Sequence, residues 1–432
     1  MGTRDRVLML ADLTGAFLYG NIRREVYIEL PDEDRIGRDV VGRLVKALYG
    51  LRDAPFIWKA HLTNELKKIG FEESPVMPGI FRHPTRGVLL GVHVDDILGV
   101  GPLGELNSVY QDLQKVYDIK AEVIGSGHKD EGAFLGRTIR WTDRGIEWEA
   151  NSKHVKILLE DSKMTNAKPL GTPVTMDMVS RAVSSDAVEL TSAESSQFRA
   201  SVARVNYLAQ DRPDLSLAAC VLSTRMAKPT AEDEPMLKRV LRYLRGRPRM
   251  IMLFGWQNAP SELALYTDSD WATCHRTRRS KSGGLIMHGD HVVHFWCKLQ
   301  DRVATSSAEA ELKAVCKGVS ELIQCYHVGN FLANFTYRLS LHIDASACRG
   351  ILLRQGAGAL KHLSVRQLWV QEAIQDYQVD VQKIDRGVNL ADFLCSPGKE
   401  STLDERVAEF NCRCLGMSVA YLARELMSLQ GG

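Results

Sequence analysis

Two adjacent aspartates interrupt an apolar run early in the chain, in the stretch GVLLGVHVDDILGVG at residues 87–101. The flanking segments are typical of buried strands, and a buried carboxylate costs several kcal/mol unless a cation or hydrogen bonds compensate it. We therefore expect Asp95 and Asp96 at a strand-to-strand turn where Mg²⁺ supplies positive charge. A plain Asp-Asp turn is the alternative, but such turns usually have polar or glycine neighbours rather than Val94 and Ile97.

A third acid, Asp12, ends the short apolar strand VLMLA at residues 7–11. If that strand lies beside the strands around Asp95 and Asp96, then Asp12 and Asp95 can share two Mg²⁺ ions. Two metal ions about 4 Å apart can hold both the attacking and the leaving oxygen of a phosphoryl transfer. These three acids therefore predict a metal site that takes a triphosphate.

Four acids in the C-terminal part lie near the ends of predicted strands or in the first turns of predicted helices. In a layered sheet these ends converge, and converging carboxylates repel one another unless divalent cations neutralise them. Any one of the four could be a surface charge or a helix cap, but together they predict a two-metal site that activates water against a phosphodiester. The four acids are Asp268, Glu311, Asp344 and Asp392.

The pattern of apolar residues changes near 255–262. Before this point strand and helix patterns alternate, with a helix over 53–71 and a hairpin around the DRG at 143–145. After it, three strand-like runs are followed by helix, strand, helix, strand and the start of a helix. The long helix of this part covers 306–326. This order predicts an α/β layer with a mixed sheet.

The composition is that of an ordinary globular protein, with 432 residues, 45% hydrophobic and 25% charged. The length allows two or three domains. No apolar run is long enough to span a membrane, so no membrane partner is expected. The nine cysteines form neither a CxxC pair nor a zinc spacing. A reducing, intracellular location is the simpler interpretation.

Positive charge is clustered although the net charge is only +2. The runs LKRVLRYLRGRPR at 237–249 and RTRRSK at 276–281 contain no acid. A solvated helix face explains the first run equally well, and phosphate contacts become the better interpretation if catalytic carboxylates lie nearby. The predicted nucleic-acid contacts are Lys238, Arg239, Arg242, Arg245, Arg276, Arg278 and Arg279.

These stretches, in this order, resemble the Pol polyprotein of copia-type retrotransposons. ADLTGAFLYG at 11–20 resembles the first polymerase motif, LVKALYGLRDAPFIW at 44–58 the LYGLKQAP segment, and GVHVDDILGVG the YVDD box. YLAQDRPDLSLAACVLSTRMAKP and LKRVLRYLRG resemble the connecting region. YTDSDWATCHRTRRSKSGGLIM, VATSSAEAEL and NLADFLC resemble the ribonuclease H domain.

The resemblance implies an α+β polymerase palm with a helical/α+β connection, followed by an α/β ribonuclease H-like domain with a mixed sheet. The implied domains are a reverse transcriptase palm over 1–125, a thumb and connection over 126–258 and a ribonuclease H-like domain over 259–398. Residues 399–432 would form a C-terminal helical extension.

The same resemblance assigns roles to individual residues. The seven acids match the catalytic and metal-binding residues of the two domains, with two Mg²⁺ ions in each site. Phe17 matches the aromatic gate that selects deoxynucleotides, although by itself it is more typical of a core residue. Tyr49 and Gly50 match the segment that packs against the incoming nucleotide.

The function implied is RNA-directed DNA polymerisation with cleavage of RNA–DNA hybrids. Its partners would be an RNA template, a DNA primer, the hybrid and deoxynucleoside triphosphates, with self-association left open. The location would be the cytoplasm, a virus-like particle or the nucleus. Because the family's fingers should precede Asp12, we expect a truncated chain with impaired polymerisation. The alternatives are a non-catalytic nucleic-acid-binding remnant and a protein with ribonuclease H activity only.

Overall fold

The structure is a computed structural model that describes residues 6–34, 40–182, 184, 186–333, 336–356, 358, 365–398, 400–410 and 412–415. Over these residues the chain divides into two compact units. The first lies within 1–135, 139–141 and 327–334, and the second within 136–138, 142–326 and 335–432.

The elements from Arg6 to Phe134 are mostly strands, with two helices and two short 3-10 turns, Ala16–Tyr19 and Asp32–Asp34. In chain order they are β1 Arg6–Leu13, β2 Tyr27–Glu29, β3 Val41–Arg43, α1 Ala54–Lys68, β4 Glu72–Glu73, β5 Ile80–His83, β6 Val88–His93, β7 Asp96–Pro102, α2 Leu103–Gln114, β8 Ile119–Ile124 and β9 Glu131–Phe134.

The elements from Arg137 onward contain most of the helices and one 3-10 turn, Arg386–Val388. In chain order they are β10 Arg137–Thr142, β11 Gly145–Ala150, α3 Lys153–Asp161, α4 Met176–Ser180, α5 Ser192–Leu208, α6 Pro213–Ser223, α7 Glu234–Gly246, β12 Arg249–Gly255, β13 Glu262–Asp270, β14 Lys281–His288, β15 His291–Leu299, α8 Ser307–Ala333, β16 Arg338–Ile343, α9 Ser346–Leu352, α10 Val365–Asp376, β17 Asp380–Lys383, α11 Asp392–Cys395, α12 Glu400–Glu409 and β18 Cys412–Leu415.

The first unit is built on an antiparallel sheet in the order β4-β5-β6-β7-β1-β8. One face is covered by α1 and α2, whose buried residues include Trp58, Leu62 and Leu106. Strand β7 alternates buried and half-buried positions, as expected for a strand with one covered face. Helix α1 has a proline in its first turn and ends before Gly70, whose φ of +97° favours glycine.

The second unit contains the predicted mixed sheet, in the order β15-β14-β13-β16-β17. The pairs β13–β14 and β14–β15 are antiparallel, while β13–β16 and β16–β17 are parallel. Helix α8 packs on one face through Leu312, Val315 and Val319, all fully buried. This packing confirms the mixed α/β layer expected from the order of elements.

A second apolar core in this unit is formed by the five helices from α3 through α7, together with part of the mixed sheet and α12. It includes Val205 of α5, Leu285 of β14 and Val407 of α12. The expected boundary at 258/259 therefore does not coincide with a division between compact units, because one apolar core spans it. The division into four domains stays a prediction.

Two sequence expectations differ from the observed elements. The long helix continues to Ala333 rather than ending near 326. The C-terminal extension is not purely helical, because after α12 residues Cys412–Leu415 form β18, which pairs with β12. Residues 416–432, also expected to be helical, lie outside the described residues. No helix in the described part of the chain has the length and apolar character of a membrane span.

Candidate active sites

Three carboxylates of the second unit converge at one end of its mixed sheet. Oxygen atoms of Asp268, Glu311 and Asp344 all lie within 4.8 Å of one another. Asp268 lies near the end of β13, Glu311 in the second turn of α8, and Asp344 directly after β16. We call these three residues the acid cluster. Because β13 and β16 are parallel neighbours and α8 crosses them, the fold brings together residues far apart in sequence.

Local hydrogen bonds fix the glutamate of the acid cluster. The backbone N–H and hydroxyl of Ser269 donate to Oε1 of Glu311 at 3.2 and 3.0 Å. At the start of α8, the hydroxyl of Ser306 accepts from the backbone N–H of Glu309 at 3.2 Å, as expected for an N-cap. Both bonds from Ser269 go to Oε1 of Glu311. Its Oε2 is buried and has no hydrogen-bond partner among the described residues.

The fourth predicted acid, Asp392, begins α11 but is not one of the three acids within 4.8 Å. Its Oδ1 accepts from the guanidinium of Arg386 at 3.3 Å. Its charge still acts on the cluster, since it helps to raise the pKa of Asp268. Asp392 therefore adjoins the acid cluster and is neutralised by an exposed arginine.

Two neighbouring residues were not identified from the sequence. Asn389 is fully buried, and its side-chain N–H donates to the carbonyl of Thr267 at 3.1 Å, beside Asp268. Arg386 brings positive charge that offsets part of the rise in the pKa values of Asp268 and Asp344, which burial causes. Both lie in the run DRGVNLAD, which ends at Asp392. Their closeness in sequence to a predicted acid is the one signal that could have identified them.

Burial makes the acid cluster costly to ionise without a cation. It raises the pKa of Asp268 to about 7, with further increases from the charges of Asp392 and Asp344. Burial and the charge of Asp268 raise the pKa of Glu311 to about 8. The pKa of Asp344 is also raised, mainly by burial. The three acids thus favour protons or a bound cation near neutral pH.

The acid cluster fits a hard divalent cation. All its ligand atoms are carboxylate oxygens, the type that Mg²⁺ prefers. The buried Oε2 of Glu311 accepts no hydrogen bond from the described residues, so it is available as a metal ligand. Asp268, Glu311 and Asp344 would hold the ion, and Asp392 would add negative charge beside them.

The raised pKa values predict that stability depends jointly on pH and on Mg²⁺. Unfolded carboxyls have pKa values near 4. The contribution of Asp268 and Glu311 to the free energy of unfolding is thus fully present below about pH 4 and lost as pH rises through about 7 to 8. We expect the Tm of the metal-free chain to fall from about pH 6 to about pH 8.5, and Mg²⁺ to raise Tm more at the higher pH.

Calorimetry at the two pH values, with and without Mg²⁺, measures this effect. The control is the double variant Asp268→Asn/Glu311→Gln, which lacks both titrating carboxyls. It should show a flatter pH dependence and a smaller response to Mg²⁺. If the double variant responded like the wild-type chain, the linkage would lie elsewhere.

The three acids of the first unit lie around one hairpin. Strands β1 and β7 are neighbours, and their register sets Asp12 opposite Asp96. Asp95 lies in the turn between β6 and β7, where its carbonyl accepts from the backbone N–H of Leu13 at 3.1 Å. Asp12 therefore lies opposite Asp96 in the sheet, and the sharing of two Mg²⁺ ions by Asp12 and Asp95 stays a prediction.

The electrostatics of this hairpin are milder than those of the acid cluster. Burial raises the pKa of Asp96, and the charges of Asp95 and Asp12 add to the effect. Of the described residues, only the acid cluster has three carboxylate oxygens within 4.8 Å, so Asp12, Asp95 and Asp96 do not form such a set. The assignment of two Mg²⁺ ions to these acids stays a prediction.

Of the predicted nucleotide-binding residues, Phe17 lines a cavity together with His93 and Val94 of the hairpin. The rings of Phe17 and Tyr49 are in contact, with centroids 4.7 Å apart. Phe17 is half-buried and packs against the core of the first unit, while Tyr49 is 53% exposed. Gly50 has a φ of +95°, and a Cβ added there would have no atom within 4 Å. Phe17 thus has core contacts and an aromatic partner, and its role as a gate stays a prediction.

Several predicted nucleic-acid contacts also hold the fold together. On α7, Arg239 donates to the hydroxyl of Thr172 at 2.6 Å. Arg242 and Arg245 donate to the carbonyls of Lys168 and Thr165 at 2.7 and 2.5 Å. This basic face therefore holds the segment 165–172, a role that its sequence pattern does not indicate.

The remaining basic residues differ in their partners. Lys238 pairs with Glu234 at 2.9 Å, and Arg276 donates to the carbonyl of Thr224 at 2.7 Å. Arg278 is exposed, and Arg279 is half-buried. Contacts of these residues with phosphates remain predictions.

The chain is similar to known reverse transcriptases and retrotransposon proteins. The model of the family described as reverse transcriptase (RNA-dependent DNA polymerase) matches residues 2–176. The Retrovirus-related Pol polyprotein from transposon TNT 1-94 of Nicotiana tabacum is 28% identical over 400 residues, which are 89% of this chain and 29% of that protein. The corresponding protein from transposon RE1 of Arabidopsis thaliana is 30% identical over 398 residues, which are 89% of this chain and 26% of that protein.

The chain thus spans less than a third of the length of these relatives. Among solved structures, LC11-RNase H1, isolated from compost by a metagenomic approach, has a TM-score of 0.25 and 16% identity. That match covers 31% of this chain and 92% of the other. The reverse transcriptase match and the relatives that align with 89% of the sequence show that the chain belongs to the family of copia-type retrotransposon Pol polyproteins.

Proposed function

We propose that this chain is the part of a Pol polyprotein that cleaves the RNA strand of RNA–DNA hybrids and polymerises DNA on an RNA template. Its partners would be the hybrid, an RNA template, a DNA primer and deoxynucleoside triphosphates, inside the cell. The observation that carries the proposal is the acid cluster, in which three buried or half-buried carboxylates converge within 4.8 Å. Carboxylates that are buried this close together repel one another unless a cation or protons compensate their charge.

In the proposed cleavage, water attacks a backbone phosphate of the RNA strand and the neighbouring ribose oxygen leaves. Bound Mg²⁺ would supply the positive charge that lowers the pKa of the attacking water and neutralises the phosphate. Ser269 holds Glu311 through its Oε1, so Oε2 keeps a fixed direction. Asn389 ties the segment before Asp392 to β13, which keeps that acid beside the cluster.

In the proposed polymerisation, a primer 3′-hydroxyl attacks the α-phosphate of a nucleotide and pyrophosphate leaves. Asp12 and Asp96 lie opposite each other in the sheet, and the rings of Phe17 and Tyr49 are in contact at a tilted angle. These contacts agree with a nucleotide site. The carboxylates of the first unit are less closely gathered than the acid cluster, however, so cleavage is the better supported of the two activities.

The decisive experiment assays the purified chain in Mg²⁺ for cleavage of an RNA–DNA hybrid and, separately, for primer extension. We expect cleavage that EDTA abolishes. Cleavage without extension would limit the function to the ribonuclease. Hybrid binding with neither activity would overturn the proposal in favour of a non-catalytic nucleic-acid-binding protein.

A further inference from the structure

The turn that carries Asp95 has an unusual backbone conformation. His93 and Asp96 pair at the end of the β6–β7 hairpin, so Val94 and Asp95 are its two turn residues. Val94 has a φ of +57°. This left-handed region suits glycine or asparagine, and a β-branched residue rarely adopts it. Something outside the turn must therefore hold Val94 in this conformation.

A single buried side chain supplies a direct contact. The indole N–H of Trp58, on α1, donates to the carbonyl oxygen of Val94 at 2.7 Å. Trp58 is only 2% exposed, while Val94 is 38% exposed. A cavity of about 210 Å³ lies between α1 and the hairpin, and both residues line it. Because packing around Val94 is incomplete here, this hydrogen bond is a specific restraint on Val94, beside the bond from the backbone N–H of Leu13 to the carbonyl of Asp95.

Trp58 is itself held rigidly. Its ring lies 5.6 Å from that of Tyr117, which lies 4.9 Å from that of Tyr19. The hydroxyl of Tyr19 in turn accepts from the backbone N–H of Asp118 at 2.8 Å. The indole N–H therefore points at the turn from an aromatic support that contacts it on one side, as a positioning residue requires.

We infer that Trp58 is a positioning residue that holds Val94 in its left-handed conformation and so fixes Asp95 and Asp96 relative to Asp12. The inference deepens the proposed polymerase function and rests on it for its effect on catalysis. The effect of Trp58 on the conformation of the turn does not depend on any activity of the chain. Without the indole N–H, the turn relaxes and the carboxylates lose their fixed relation across β1 and β7.

The test combines Trp58→Phe with Val94→Gly. The first variant keeps an aromatic ring but removes the donor, and the second removes the side chain that makes a positive φ unfavourable. In Trp58→Phe we expect amide hydrogen exchange of residues 92–97 to become roughly tenfold faster. The kcat of primer extension should fall roughly tenfold with KM for nucleotide little changed, because a small displacement of catalytic groups affects the chemical step most.

The double variant Trp58→Phe/Val94→Gly should restore slow exchange and much of the extension rate, since glycine adopts the turn conformation without help. Cleavage of hybrid, in the other unit, should be unaffected by either change. The control is Tyr110→Phe, which removes another side-chain hydrogen bond to a carbonyl in the same unit, to Ile119 at 3.2 Å. It should leave exchange in the turn unchanged.

Two results would overturn the inference: unchanged exchange at 92–97 in Trp58→Phe, or a double variant that is worse than Trp58→Phe in both measurements. A wild-type chain that fails to extend primers would contradict the polymerase function, and the exchange data would still decide the role of Trp58.

Discussion

Asp344→Asn is expected to abolish cleavage of RNA in an RNA–DNA hybrid, lowering the rate by about a thousandfold or more. The substitution keeps the size of the side chain and replaces a charged oxygen with an amide nitrogen. Asp344 is only partly buried and follows β16, so the fold should tolerate the change. Hybrid affinity, measured without turnover in Ca²⁺, should stay roughly the same because binding depends mainly on phosphate contacts.

The matched control for this variant is Asp376→Asn, which changes an exposed aspartate of the same unit at the end of α10. It alters the net charge equally and should cleave hybrid at the wild-type rate. A second comparison is primer extension, which should be the same in Asp344→Asn and in the wild-type chain. Cleavage that survives in Asp344→Asn would remove the acid cluster from the proposed mechanism.

The acids of the cluster could be predicted because strand and helix patterns have a definite period. Asp268 and Asp344 stand where apolar alternation ends, and a mixed sheet brings such ends together. The sequence could not indicate how far each acid would be from the others. Asp392 had the same kind of position, yet its carboxylate is paired with Arg386 and lies outside the set within 4.8 Å.

Contacts between distant segments account for most of what the sequence did not predict. The apolar face of α1 includes Trp58, but its hydrogen bond to Val94 depends on a hairpin 36 residues away. The basic face of α7 was predicted, but the segment 165–172 that it holds has no periodicity that would indicate docking. Strand β18 has four residues and forms by pairing with β12, a tertiary contact that overrides the local pattern.

The acid cluster and the hairpin acids illustrate two ways of tolerating grouped carboxylates. Burial is severe at Asp268 and Glu311, so a cation or protons must compensate them. Asp12 is exposed and Asp96 half-buried, so water compensates much of their charge. The first arrangement favours a preformed metal site, while the second favours a site completed by a bound nucleotide and its accompanying cations.

Asp214→Asn is expected to destabilise the second unit by about 3–5 kcal/mol, because it removes the carboxylate that pairs with a buried guanidinium. Asp214 accepts from Nε and Nη2 of Arg212 at 3.0 and 2.6 Å, and from the hydroxyl of Tyr243 at 2.6 Å. Both members of the pair are almost completely buried. Arg212 also donates to the carbonyl of Arg247 at 3.0 Å, so the pair joins α6 to the end of α7.

Urea denaturation followed by circular dichroism measures the loss, and a second ion pair of the same unit provides the matched control. Arg181 and Asp177 are an Arg–Asp pair at 2.5 Å that is 40% and 70% exposed. Water screens this pair, so Asp177→Asn should cost no more than about 0.5 kcal/mol. Replacing both buried partners, in Arg212→Met/Asp214→Leu, should cost less than Asp214→Asn alone, since no unpaired charge then remains. Equal losses from Asp214→Asn and Asp177→Asn would mean that burial does not govern the energy of the Arg212–Asp214 pair.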